Sequence, residues 1–240
     1  MQDSLYVALS SQVALEKRLT TIADNVANTN TVGFRATGVK FEDLVSGIGD
    51  DRVAFASTGA TFLSENAGAL RQTGNPFDFA IQGDAWFGID TPVGTVMTRD
   101  GRFEMDQEGQ LVTHQGYPVL DAGGAPIQLD PRNGAPEVGA DGRISQDGFQ
   151  VGAIGLFSFE PGQDFRRFEN SGIIPSREPE PIVDRIDVGV AQGFVEDSNV
   201  NPVMEMTRLI AVQRAFENTS AMMRSTTSSL DSAVQILGSK

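Results

Sequence analysis

Pro202-Val203-Met204-Glu205-Met206-Thr207-Arg208-Leu209-Ile210-Ala211-Val212-Gln213-Arg214-Ala215-Phe216-Glu217 opens a run, residues 203–237, that holds neither glycine nor proline. Residues 1–32 are free of both as well, whereas all 11 prolines lie between Pro76 and Pro202. Glycine and proline break helices, so their removal from both ends predicts a helical segment at each end and a turn-rich middle. Asn201 or Ser198 before Pro202 supplies a helix start and Gly238 a stop. Over residues 203–237 the helix would be about 52 Å long.

Apolar spacing gives each helix a seam. The C-terminal one reads Met206, Leu209, Gln213, Phe216, Ser220, Met223, Thr227, Leu230, Val234, Leu237, with polar positions recurring every seven residues. At the N-terminus the seam is Leu5, Ala8, Gln12, Leu15, Leu19, Ile22, Val26, widened by Leu9 and Ala23. Spacing of three then four residues is that of coiled coils. Two readings stand: the helices pair within one chain, or their seams are completed by other copies. Two helices alone leave much of each seam uncovered, which favours self-association.

Charge follows the same division. Residues 1–35 sum to zero and residues 203–240 to +1, so the middle carries the rest of the net −14. Such an acidic chain is unsuited to nucleic acid. With no cysteine, disulfides, thiolate metal sites and cysteine nucleophiles are excluded. No run approaches the length of a membrane span, and the start lacks the pattern of a cleavable signal peptide.

From Phe77 onward, short apolar runs alternate with turn signals, among them Asp100-Gly101, Asp141-Gly142 and Asp147-Gly148, which suit tight turns in an antiparallel β domain. Residues 36–75 read as a connector with a hairpin around Val53–Leu63. The fold class expected is α+β: long N- and C-terminal helices forming a coiled-coil-like inner domain (1–35 and 198–240) around a central antiparallel β domain (76–197). Trp86 is assigned to the core. His114, the only histidine, is placed on a surface turn, and Asp100, Glu104, Asp106 and Glu108 lack calcium-loop spacing. No catalytic, cofactor or metal site is expected.

Asn25-Val26-Ala27-Asn28-Thr29-Asn30-Thr31-Val32-Gly33-Phe34 suits a helix exit, with asparagines that cap locally and a glycine free to take positive φ. As a string it resembles the N-terminal signature of the bacterial flagellar rod and hook proteins. Residues 199–217, with Asn201, Pro202, Glu205, Met206 and Arg214, resemble that family's C-terminal signature. Thr98-Arg99-Asp100-Gly101-Arg102-Phe103 and Gly116-Tyr117-Pro118-Val119-Leu120 match its middle. Within the family, the opening Asp3-Ser4-Leu5-Tyr6 and the 240-residue length look most like the proximal-rod members. Distal-rod members are somewhat longer and carry Thr-Gly-Met where this chain has Ser10-Ser11-Gln12.

The resemblance implies a structural subunit of the basal-body rod, a tubular drive shaft that transmits torque and passes exported cargo. Its partners would be copies of itself, neighbouring rod proteins and the flagellar type III export apparatus, in a rod spanning the periplasm. The assembly residues would be Leu5, Leu9, Leu15, Leu19, Ile22, Val26, Met206, Leu209, Phe216, Met223, Leu230, Val234 and Leu237. The alternatives are a distal-rod paralogue, or a polymer-binding β module dimerised by its terminal helices.

Overall fold

A computed structural model of the chain describes residues 2–46, 53–57, 59–183 and 185–238, in two compact units. One comprises Met1–Ala27, Thr37–Phe62 and Asn201–Lys240; the other comprises Asn28–Ala36 and Leu63–Val200.

The first unit holds the two helices, α1 (Gln2–Ala27) and α2 (Pro202–Gly238). At the start of α2, Asn201 acts as the cap: its Oδ1 accepts from the Met204 amide at 3.1 Å and its carbonyl from the Glu205 amide at 3.0 Å. Pro202 occupies the first helical position, where a missing N–H costs nothing. The helices pack against each other and run antiparallel. Phe34 and Asn199, just outside them in sequence, are hydrogen-bonded, while further out Gln12 Nε2 donates to Ser220 Oγ at 3.5 Å.

The same unit contains an arm of four short strands. Asp43–Ser46 pairs antiparallel with Val53–Ala56, and Thr37–Lys40 pairs with Ala60–Leu63. Between the two ladders, Glu42 N donates to Ser57 Oγ and Ser57 N to Glu42 O, both at 2.9 Å. The arm lies along α1: Lys17 Nζ donates to the Gly59 carbonyl at 2.5 Å.

Two expectations are corrected here. The hairpin around Val53–Leu63 does not form, because Val53–Ala56 and Ala60–Leu63 are successive pieces of one side of the arm and pair with the segments before them. The coiled-coil-like inner domain does not form either. Among the described residues there are two helices, one at each end, in a mostly β protein, and the unit that holds them is part strand. The inward face of α2 runs through Glu205, Leu209, Val212, Phe216, Ser220 and Met223, whereas Met206 and Gln213 face solvent. Leu209, Phe216, Ser220 and Met223 of the expected seam face inward, and Glu205 and Val212 take the places of Met206 and Gln213.

The second unit is β. Its largest sheet has six strands in the order Arg166–Phe168, Gly172–Ile174, Gly94–Thr98, Trp86–Thr91, Leu156–Ser158, Glu180–Pro181, antiparallel throughout. Successive residues Trp86 and Phe87 point to opposite faces and both are buried, so both sides of the sheet are covered. On one side Phe79, Phe87, Val96, Phe103, Leu111, Val119 and Ile144 form the main core. The other side holds Trp86, Met97, Phe157 and Ile173. A separate three-stranded sheet turns at Asp147-Gly148, where both residues have positive φ (50° and 79°), as a two-residue hairpin requires. Asp100-Gly101 behaves differently from the expected hairpin turn. The strands either side of it belong to different sheets, and Gly101 is required because a Cβ would lie 1.8 Å from the Phe79 carbonyl oxygen.

Candidate assembly interface

The segments flanking the helices are fixed by two sets of polar residues. Asn25, buried in the last turns of α1, uses its whole amide: Nδ2 donates to the Thr37 carbonyl and Oδ1 accepts from the Thr37 amide, each at 2.9 Å. This copies the bond pair a neighbouring strand would make, and it fastens the start of the arm to α1. Asn28 works locally, accepting from Thr31 Oγ1 at 3.0 Å, and Asn30 is exposed.

The second set belongs to the β unit. Gly33 has φ +69°, and a Cβ there would sit 2.2 Å from the Asp100 backbone nitrogen, so only glycine fits. Its amide donates to the Glu196 carbonyl at 2.7 Å. Phe34 is buried beneath the Arg167 guanidinium, 4.3 Å from the ring centroid. Asn199 gathers three neighbours: Oδ1 accepts from Ala36 N at 2.7 Å, while Nδ2 donates to Ser64 Oγ at 3.2 Å and to the Asn66 carbonyl at 2.6 Å.

Under these contacts lies a buried charge cluster. Glu196 Oε1 is 2.8 Å from Arg35 Nη2, and Oε2 is 3.3 Å from Arg99 Nη1, with all three side chains at most 3% exposed. One carboxylate faces two guanidiniums, which leaves a buried excess of one positive charge. Backbone dipoles and a ring offset it: Arg99 Nη2 donates to the Gly83 carbonyl at 2.8 Å, Arg35 Nη1 to the Glu65 carbonyl at 2.9 Å, and both guanidiniums stand over Trp86. Burial dominates at Arg99 and lowers its pKa to about 10, against the opposing pull of Glu196. Glu196 also accepts from Gly68 N at 2.9 Å.

The expected seam residues fall into two groups. Leu15, Leu19, Ile22, Val26, Leu209, Phe216 and Met223 are buried or half-buried. Leu9 and Met206 instead face solvent, at 48% and 52% exposure. The backbones of Leu5, Leu230, Val234 and Leu237 lie in the helices, and their side chains lie outside the described residues. Glu205 is buried and paired with Arg208 at 2.5 Å, while Arg214 is exposed. His114 is exposed on its turn, 3.3 Å from Glu104.

Sequence reasoning passed over two features. Arg35, Arg99 and Glu196 carry no local mark of burial, because a charged residue in a polar stretch reads the same inside or outside. The exposed apolar positions Tyr6, Val13, Val203, Met204, Ile210 and Met222 lie off the counted seams. A second pass at helical spacing over Tyr6-Leu9-Val13 and Val203-Met206-Ile210 would have found most of them.

The chain matches three family models in order: Flagella basal body rod protein over residues 5–35, Flagellar hook protein FlgE/F/G D1 domain over 80–146, and Flagellar basal body rod FlgEFG protein C-terminal over 191–236. It is 71% identical over 240 residues to the flagellar basal-body rod protein FlgF of Mesorhizobium japonicum, covering 100% of both chains. Against FlgF of Rhizobium meliloti it is 56% identical, covering 99% of each. With the rod protein FlgG of Bacillus subtilis it shares 32% identity, over 98% of this chain and 99% of that one. These full-length matches, together with the three family models in order along the sequence, show that the chain belongs to the flagellar basal-body rod protein family, as a FlgF-like structural component of the rod.

Proposed function

We propose that this chain is built into the rod through its helical unit and that the β unit supplies the acidic remainder of the subunit's surface. The subunit belongs to the proximal rod and is structural. The observation that carries this reading is the concentration of exposed apolar side chains on the helices. Of the fifteen large hydrophobic residues exposed among the described residues, eight lie on α1 or α2: Tyr6, Leu9, Val13, Val203, Met204, Met206, Ile210 and Met222. A solvated helix gains nothing from such positions, and clusters of this kind mark interfaces. Contacts with neighbours are heterologous, so they stack rather than close, and interlocked side chains resist the shear that torque imposes. Copies of the chain and other rod proteins are the partners. Export by the flagellar type III apparatus, without a cleavable signal, delivers the subunit to a rod that crosses the periplasm.

Catalysis has no part in this reading. His114 is exposed against Glu104, and the relatives are rod proteins. Nor does the polymer-binding alternative gain support. The single tryptophan is buried under two arginines, and Tyr117 packs edge-on against Phe168 at 5.4 Å.

The test is Ile210→Asp. Ile210 is exposed, so the purified subunit should keep its melting temperature. In the rod the new carboxylate would be desolvated without a partner, so assembly and motility should fail. Normal motility at normal protein level would refute the assignment of the helices to assembly.

A further inference from the structure

The loop Asp130-Pro131-Arg132-Asn133-Gly134-Ala135-Pro136 of the β unit contains the one Asn-Gly pair in the sequence. Its frame is held from below by Gln146, a side chain only 2% exposed. Gln146 Oε1 accepts from the Asp130 amide at 2.9 Å, and Nε2 donates to the Asp130 carbonyl at 3.1 Å and to the Gly134 carbonyl at 2.9 Å. The Asn133 backbone amide closes the turn by donating to the Asp130 carbonyl at 3.1 Å. Two groups between these fixed points are left over. Neither the Asn133 side-chain amide nor the Gly134 N–H has a hydrogen-bond partner among the described residues. Gly134 is exposed, and a Cβ built on it would meet nothing within 4 Å.

A backbone nitrogen that follows asparagine can close a five-membered ring on the side-chain carbonyl carbon, provided that its N–H is free and its approach uncrowded. Other asparagines fail on one count or another. Asn75 and Asn201 precede proline, which has no N–H. After Asn30, the Thr31 amide is bonded to the Asn28 carbonyl at 3.2 Å. Asn199 spends its side-chain amide on Ser64 and Asn66. Asn66 and Asn170 are exposed, but Ala67 and Ser171 each have a Cβ beside the attacking nitrogen, which glycine lacks.

We infer that Asn133 is a self-modification site, at which the Gly134 nitrogen attacks Asn133 Cγ and the side-chain amide becomes a carboxylate without an enzyme. Hydroxide takes the Gly134 proton, the N–Cγ bond forms, and the Cγ–Nδ2 bond breaks to release ammonia. Water then opens the cyclic imide at one of its two carbonyls. Opening at Cγ gives aspartate on the original backbone. Opening at the Asn133 backbone carbonyl gives isoaspartate, whose main chain runs through Cβ and Cγ. Either route adds one negative charge to a chain that already has −14. Escape of ammonia makes the change irreversible, so the modified fraction records the age of the folded chain. The two products differ at Gln146. Isoaspartate lengthens the main chain by one C–C bond, about 1.5 Å, which draws the Gly134 carbonyl out of hydrogen-bond reach of Nε2. Aspartate leaves that clamp in place.

The test ages the folded full-length chain at mildly alkaline pH and follows each asparagine by peptide mass spectrometry, with aspartate and isoaspartate peptides separated by chromatography. Asn133 should convert at least tenfold faster than Asn66 or Asn170, to both products, and within tenfold of its own rate in urea. Asn66 or Asn170 keeping pace overturns the site, and so does a folded rate more than tenfold below the urea rate, because the fold would then shield the pair. Asn133→Gln would need a six-membered ring, so it should keep the melting temperature and lose the conversion. A mass change that persists in that peptide overturns the assignment. Hydrogen exchange over residues 130–136 should speed up in the aged chain and not in Asn133→Asp, which adds the charge without the extra bond. Equal exchange in the two would overturn the release of the Gln146 clamp.

Discussion

Arg35 and Glu196 form a buried ion pair, 2.8 Å from Nη2 to Oε1, between the segment that follows one family signature and the segment that precedes the other. Arg99 shares the same carboxylate at 3.3 Å. Glu196→Ala would therefore strand two buried guanidiniums. Removing one partner of a buried pair costs about 3–5 kcal/mol, and urea unfolding of the full chain should show a loss of at least that size. A loss under about 1 kcal/mol would mean that water reaches the arginines and that the cluster is not a brace.

Gly33→Val should be damaging, because Gly33 is buried. The backbone is left-handed there, and the side chain would enter the space of the Asp100 amide. Strain of about 1–3 kcal/mol from the conformation alone adds to that clash. The variant should melt well below the parent. An unchanged melting curve would show that residues 31–35 can adopt another path.

Asn25→Asp tests the link between α1 and the arm. The new side chain keeps an acceptor for the Thr37 amide but turns a donor into an acceptor against the Thr37 carbonyl. Leaving a buried group unsatisfied costs about 1–3 kcal/mol. Hydrogen exchange should speed up in Thr37–Lys40 and leave the six-stranded sheet unchanged. Equal protection in both variants would place the fastening elsewhere.

Asp130 offers a pH test on the surface. Its hydrogen bonds from Arg132, side chain first and then backbone amide, hold the carboxyl down at about 2, below its ordinary 3.8. A depressed carboxyl contributes stability above the unfolded value and loses it as pH falls from about 3.8 through about 2. Carboxyl chemical shifts followed by NMR should give that low midpoint, and Arg132→Ala should return it toward the ordinary range. Identical midpoints would show that the pair does not persist in solution.

The helices were legible because their cause is local. Excluding glycine and proline from 1–32 and 203–237 acts on each backbone turn without reference to the rest of the chain. The Asn201 cap, the Asp147-Gly148 turn and the positive φ of Gly33 rest on local chemistry too, but the sequence offered them only as candidates beside Ser198 and Asp100-Gly101, and the fold chose among them. Family membership was legible too, since the signatures are strings.

What the tertiary structure alone decided is which face of each helix is spent inside the chain. Spacing allowed Met206 or Glu205, Gln213 or Val212, and burial chose the second of each pair, leaving Met206 outside. The choice depends on the antiparallel partner helix, which leaves no mark on α2 itself. The Arg35–Glu196–Arg99 cluster was hidden for the same reason. Charge is a property of a residue, whereas burial belongs to the fold that brings positions 35, 99 and 196 together.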